Sequence, residues 1–158
     1  MSRTRSRVAC HRGALAAVLL TIGLASGACL GPAPSGIPRS GGGAAAAVAF
    51  AESQVGKPYC LGGAGPTCYD CSGLTMRAWQ VGGVTLPHFS GWQYLMFPTV
   101  PMNKLRPGDL VFPADPNQHV ALYIGGGMIV HATHTGDVIR QVPINQQGLG
   151  IVLAVRPH

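Results

Sequence analysis

The chain has 158 residues, room for one domain with a proper core once a targeting segment is subtracted. Its formal charge of +6 gathers at the start, where Arg3, Arg5, Arg7 and Arg12 precede any acid; from residue 29 onward seven Lys/Arg face five Asp/Glu, a net of +2. No basic cluster interleaved with aromatics survives beyond that start, which excludes the usual footprint of a nucleic-acid-binding protein.

Taken in chain order, residues 1–28 combine a positive opening, the uncharged run "GALAAVLLTIGLASGA" and a small-residue exit. That is the pattern of an export signal, with an uncleaved membrane anchor as the alternative. "SGAC" places Cys29 in a lipoprotein-like cleavage box and makes it a candidate for a lipid anchor, although Ser26 stands where a Leu-like residue is usual. Residues 29–43 are rich in Gly, Pro and Ser with one charge, and are expected to be a flexible tether to a domain over 44–158. "AAAAVAFAESQVG" (44–56) predicts a helix stopped by glycine. A Gly/Pro loop follows. "DCSGLTMRAWQVGG" (70–83) then predicts a second helix, with Asp70 as its cap, Leu74, Ala78 and Val81 at helical spacing, and Gly82-Gly83 ending it. Beyond Leu110 the pattern changes to short strands over 110–112, 119–124, 128–132, 138–142 and 151–155. Short links between them favour an antiparallel meander, so the class is α+β.

Outside the cytoplasm disulfides persist. With Cys10 in the leader and Cys29 at the cleavage point, the domain keeps Cys60, Cys68 and Cys71. Two can pair and one is left over. Cys71 falls in the first turn of the second helix, where unpaired N–H groups and the helix dipole favour a thiolate and are expected to lower its pKa. A nucleophilic thiolate also needs a base. If residues 119–124 and 128–132 form a hairpin across Gly125-Gly126-Gly127, paired positions sum to 252 and His131 lies opposite Ala121. His119 and His131 then share a face as diagonal neighbours, about 7–8 Å apart at Cα. The arrangement reads as a Cys71–His119–His131 site for attack on a carbonyl, with His119 as base and His131 orienting it. His88 and His134 are expected to be ordinary loop histidines.

"GKPYCLGGAGPTCYDCSGL", "LPHFSGWQ", "LRPGDLVF", "HVALYIGGGMIVHA" and "GDVIRQVPI" occur in that order from about Ala51 to Ile144. Together they resemble the NlpC-type cell-wall cysteine peptidases. The resemblance implies a papain-like α+β domain, with N-terminal helices packed on an antiparallel sheet of five or six strands. It implies hydrolysis of peptidoglycan stem peptides, typically at the D-γ-glutamyl bond to a diamino acid such as meso-diaminopimelate, without metal or cofactor. Position by position, Cys71 matches the nucleophile, His119 the base and His131 the orienting residue. Tyr59 matches the tyrosine that binds the oxyanion beside the Cys71 N–H. Asp70 and Ser72 match the residues that often hold the substrate's free amine. With Cys71 free, Cys60 and Cys68 are implied to form a disulfide. A monomer, exported and secreted or held in the envelope, is expected.

Three positions depart from the family pattern: Leu61 for the tryptophan of W-G-G, His88 for the arginine of L-P-R, and Pro113 for the second aromatic of V-F-F. The first two usually border the substrate cleft. The alternatives are a catalytically inactive cell-wall-binding member of the same fold, a thiol–disulfide oxidoreductase built on "CYDC", and a zinc site from Cys60, Cys68, Cys71 and a histidine. The second lacks the strand leading into its motif, and the third has poor ligand spacing.

Overall fold

The computed structural model describes residues 42–158. The expected export signal, Cys29 and all but the last two residues of the tether lie outside the described residues. The elements are helices α1 (Ala44–Ser53), α2 (Cys71–Gly82) and α3 (Ser90–Leu95), a single 3₁₀ turn (Met102–Lys104), and strands β1 (Leu110–Pro113), β2 (Ala121–Gly125), β3 (Met128–His131), β4 (Arg140–Pro143) and β5 (Ile151–Val155).

Alanines make α1 helical and let it lie close to α2: Ala47 and Ala51 are fully buried, and the Gly43 N–H donates to the Gly82 carbonyl. In α2 the Asp70 side chain accepts the Gly73 N–H at the start, and Gly83 at φ 90° ends the helix in the left-handed conformation. Its buried stripe is Leu74, Ala78 and Trp79, with the Trp79 indole N–H donating to the Gly108 carbonyl at 3.1 Å. Val81, expected on that stripe, is instead half exposed, and Trp79 and Gly82 are buried in its place.

The five strands form one antiparallel sheet in the order β4-β3-β2-β1-β5. The first four make the expected meander, and β5 returns to the far side of β1. Alternation along β1 sends Leu110 and Phe112 toward the helices and Val111 to the opposite face, where it joins Ala121, Ile129, Val142 and Ala154. The sheet is therefore apolar on both faces, with α1 and α2 covering one of them. The expected class, helices on a five-stranded antiparallel sheet, is the observed one.

Three strands are shorter than expected, β3 by one residue at its end. β2 starts at Ala121, and β4 starts at Arg140 because Val138 and Ile139 pair instead with the segment entering the cysteine loop. There the Tyr59 N–H donates to the Asp137 carbonyl and the Ile139 N–H to the Lys57 carbonyl, tying Tyr59 to the end of the sheet.

Candidate active site

Cys71 is the first residue of α2 and the free cysteine among the described residues; the sulfurs of Cys60 and Cys68 face each other across a Cα–Cα distance of 5.6 Å. Backbone N–H groups of Val120, Ser72 and Cys71 itself favour a thiolate at the Cys71 sulfur. Val120 follows His119, so the N-terminus of α2 meets the chain where it enters β2.

The hairpin register brings the two histidines together. Leu122 pairs with Val130 and Tyr123 with Ile129, both summing to the anticipated 252; the register then slips by one, so that Gly125 pairs with Met128. The turn itself is thus shorter than expected, and a β-bulge supplies the missing residue. Gly125 at φ 98°, Gly126 at 60° and Gly127 at 75° adopt backbone conformations that L side chains resist. Without the bulge, His131 would turn to the other face. With it, His119 Nε2 lies 3.2 Å from His131 Nδ1, the two rings 69° apart.

Burial sets the protonation of all three groups. It pushes the Cys71 thiol above its ordinary range, and the neighbouring Asp70 charge adds to this, while the three N–H groups pull the other way. The expectation from helix placement alone had the opposite sign, because it omitted desolvation. Burial, reinforced by His131, pushes His119 down to about 4. His131 is lowered by burial and by Arg140, with Asp137 opposing. At neutral pH the site therefore holds a thiol and two neutral imidazoles.

A cleft of about 380 Å³ opens over the sulfur, lined among others by Tyr59, Asp70, Cys71, Ser72 and His88. Burial and the nearby Cys71 and Asp70 charges raise the Tyr59 pKa, keeping its O–H a donor. Asp70 is only 7% exposed. Its Oδ1 accepts from the Gly73 N–H at 2.6 Å and the Ser72 hydroxyl at 3.2 Å, and its Oδ2 from the Gly62 N–H at 2.9 Å. His88 Nε2 stands 2.9 Å and 3.0 Å from the two oxygens. His88 is therefore no ordinary loop histidine: it borders the cleft and braces the cap of the cysteine-bearing helix. Its position beside "LP", where the family pattern has an arginine, was the available signal. His134 is exposed, as expected, with its Nδ1 at the Thr135 carbonyl.

Two further residues hold the site from behind. Fully buried Gln93 donates to the Ser72 carbonyl at 3.0 Å and the Pro87 carbonyl at 2.8 Å, and accepts from the Thr75 hydroxyl at 2.8 Å. Gly73 faces Gly63 so closely that a Cβ on Gly73 would sit 2.0 Å from the Gly63 carbonyl oxygen. Glycine at that point of "DCSGL" is required by this contact.

Known proteins similar to this chain share its family. A probable endopeptidase of Mycobacterium tuberculosis is 40% identical over 109 residues, which is 69% of this chain and 28% of that protein. The peptidoglycan endopeptidase RipA of the same organism is 36% identical over 112 residues, 61% of this chain and 24% of that protein. The chain thus matches less than a third of the length of either. Among solved structures, RipD of M. tuberculosis, described as a non-catalytic NlpC/p60 domain protein adapted to peptidoglycan binding, superposes with a TM-score of 0.64 at 30% identity, over 73% of this chain and 97% of that one. The model of the NlpC/P60 family matches residues 56–153, more than half the sequence, and with it the chain belongs to the NlpC/P60 family.

Proposed function

We propose that this protein is an exported cysteine endopeptidase that hydrolyses peptidoglycan stem peptides at the D-γ-glutamyl bond to meso-diaminopimelate. Cys71 is its nucleophile, His119 its base and then acid, and His131 the ring that orients His119. The observation that carries the reading is the 3.2 Å contact between His119 Nε2 and His131 Nδ1, with the backbone N–H of Val120, the residue after His119, acting to lower the Cys71 thiol pKa. A fold shared with a relative described as non-catalytic does not decide for catalysis; a free thiol together with two imidazoles in edge-to-face contact favours it.

In this reading the His119 Nε2–H donates to His131 Nδ1, which leaves His119 Nδ1 unprotonated and free for the thiol proton. As the sulfur attacks the scissile carbonyl carbon, its proton passes to His119. The resulting imidazolium is stabilised by the His131 lone pair. The oxyanion is held by the Cys71 N–H and the Tyr59 hydroxyl, preorganised donors of a kind worth about 3 kcal/mol each. Collapse breaks the C–N bond while His119 returns the proton to the leaving amine. Water, deprotonated by His119, then hydrolyses the thioester. Ser72 keeps its lone pairs for the substrate's free amine, and the Asp70 charge behind it adds attraction.

The same reading makes Cys60–Cys68 a disulfide formed after export, residues 1–28 the export signal, Cys29 the candidate lipid anchor, and residues 44–158 the catalytic domain. Mass spectrometry of muropeptides incubated with the full chain tests it. Wild type releases stem-peptide fragments and Cys71→Ala releases none. His119→Ala loses at least about 100-fold, as expected for a general base, and His131→Ala loses less. Fragment release by Cys71→Ala at the wild-type rate would refute the assignment; binding without cleavage by wild type would favour a binding module.

A further inference from the structure

The mechanism above leaves one group of the cleft without a part. His88 Nε2 stands 2.9 Å and 3.0 Å from the two oxygens of Asp70. The remaining donors to that carboxylate are neutral: the Gly73 and Gly62 N–H groups and the Ser72 hydroxyl. Among the described residues no Lys or Arg lines the cleft or pairs with Asp70. The contact is built into the fold. A Cβ on Gly73 would come within 2.8 Å of His88 Nε2, and Gln93 holds both the Pro87 carbonyl, just before His88, and the Ser72 carbonyl.

Charge follows from that arrangement. Nε2 faces two acceptors, so it carries a hydrogen in either state of the ring, and the proton gained or lost sits on Nδ1. With the ring neutral, the Asp70–His88 pair bears one net negative charge; with Nδ1 protonated it bears none. An arginine here, as in the family pattern, would hold the pair at zero throughout. The His88 side chain is 30% exposed, which opens the ring to protons from solvent. Facing it in the cleft are Cys71 and Tyr59, whose pKa values are raised; behind Asn117 and Gln118 lies Asp115, whose pKa is lowered. Between about pH 5.5 and 7.5 the thiol and phenol therefore stay neutral and Asp115 stays ionised, and His119, at about 4, is neutral as well. The Asp70–His88 pair is left as the part of the cleft whose charge changes, since imidazole is the side chain suited to titrate there.

We propose that His88 is a specificity-determining residue: with its ring neutral, the Asp70–His88 pair selects stem peptides that end in a free ammonium over those whose amine is capped, and protonation of the ring cancels that selection. The inference rests on the hydrolase reading, in which Ser72 and Asp70 receive the substrate's amine, and makes that reception conditional on one proton. Its effect falls on binding, because the proton transfers of the reaction run through His119.

The test titrates the full-length Cys71→Ala protein by calorimetry with L-Ala–γ-D-Glu–meso-diaminopimelate and with its N-acetyl form, at about pH 7.5 and 5.5. The free-amine peptide is expected to bind about fivefold or more tighter than the capped one at the higher pH, the water-like limit for one charge at close range, and no more than about twofold tighter at the lower. His88→Gln keeps a neutral N–H for Asp70 and should hold the preference at both pH values; His88→Arg should keep it low at both. A preference that does not change with pH, a His88→Gln protein that loses it at the lower pH, a His88→Arg protein that retains it, or no binding of either peptide overturns the proposal. Should the arginine variant fail to fold, the parent and His88→Gln titrations decide alone. Wild-type cleavage of both peptides is followed in parallel. Cleavage with a preference independent of pH refutes the role of His88 and spares the hydrolase, and a pH-dependent preference without cleavage does the reverse.

Discussion

Burial makes His119 an acid-sensitive point in the molecule. Its folded pKa of about 4 lies below the ordinary histidine value of about 6.5. Between those limits the unfolded chain takes up a proton that the folded chain refuses, so stability falls as pH drops from about 6.5 to 4 and levels off below. The full difference is up to about 3 kcal/mol. Melting temperatures measured at steps from pH 7 to 4 should therefore fall more for wild type than for His119→Phe, and equal slopes would contradict the burial. Activity should persist through this range and be lost near pH 4, where the His119–Cys71 pair gains a second proton. The identity of these residues was legible in the sequence through their motifs and the parity of the hairpin. Their protonation was not: position at a helix start points to a lowered thiol pKa, and only the burial of the sulfur in the folded chain reveals the desolvation that outweighs it. His88 was underestimated for a similar reason. Its partner Asp70 is 18 positions away, and only the fold closes that gap.

At the scale of elements, α1, α2 and the strands were readable because each carries its own period and stop signals. Helix α3 was not. It has six residues, contains a glycine, and has no side-chain cap. What makes it a helix is tertiary: Gln93 reaches over to the Ser72 and Pro87 carbonyls, and Gly91 admits the Asn117 side chain where any Cβ would collide with it. The tightness of the β2–β3 turn was also hidden, since three consecutive glycines permit several geometries and the bulge at Gly125 is fixed only by the apolar residues it keeps on their faces. Gln93 thus couples α3 to the first turn of α2. Gln93→Leu preserves much of the volume yet leaves the Pro87 carbonyl without its Gln93 donor and the Ser72 carbonyl and Thr75 hydroxyl without their bonds to the Gln93 amide, although these two still bond each other. Urea unfolding should report a loss of about 2–3 kcal/mol. Because Ser72 and Cys71 share that turn, kcat should fall as well. A stable variant with unchanged kcat would show that α3 is merely adjacent to the site.

For the molecule as a whole, the question is what holds the loop from Tyr59 to Asp70 against the sheet, since that loop carries one wall of the cleft and contains only short backbone pairings. Tyr69 anchors it from within, buried and donating its hydroxyl to Gln54 at 3.1 Å, and Tyr59 is tied to Asp137. The Cys60–Cys68 pair closes what remains, a sequence separation of 8. In the chain-entropy model a loop that short contributes about 2–3 kcal/mol, small beside a long-range crosslink. Its weight should therefore be local. Reduction is expected to lower the unfolding free energy by no more than that amount, while loosening Tyr59 and Asp70 enough to reduce activity more than stability. Differential alkylation with peptide mapping supplies the assignment: without reductant Cys71 is labelled and Cys60 and Cys68 are not, and all three are labelled after reduction. Labelling of Cys60 and Cys68 in the unreduced protein would remove the crosslink, and leave Tyr69 and the backbone pairings to hold the wall alone. A Cys60→Ser/Cys68→Ser double variant separates the two contributions. With the crosslink gone and no thiols added, kcat/KM should drop while the α1–α2 and sheet core, to which neither residue belongs, still melts cooperatively.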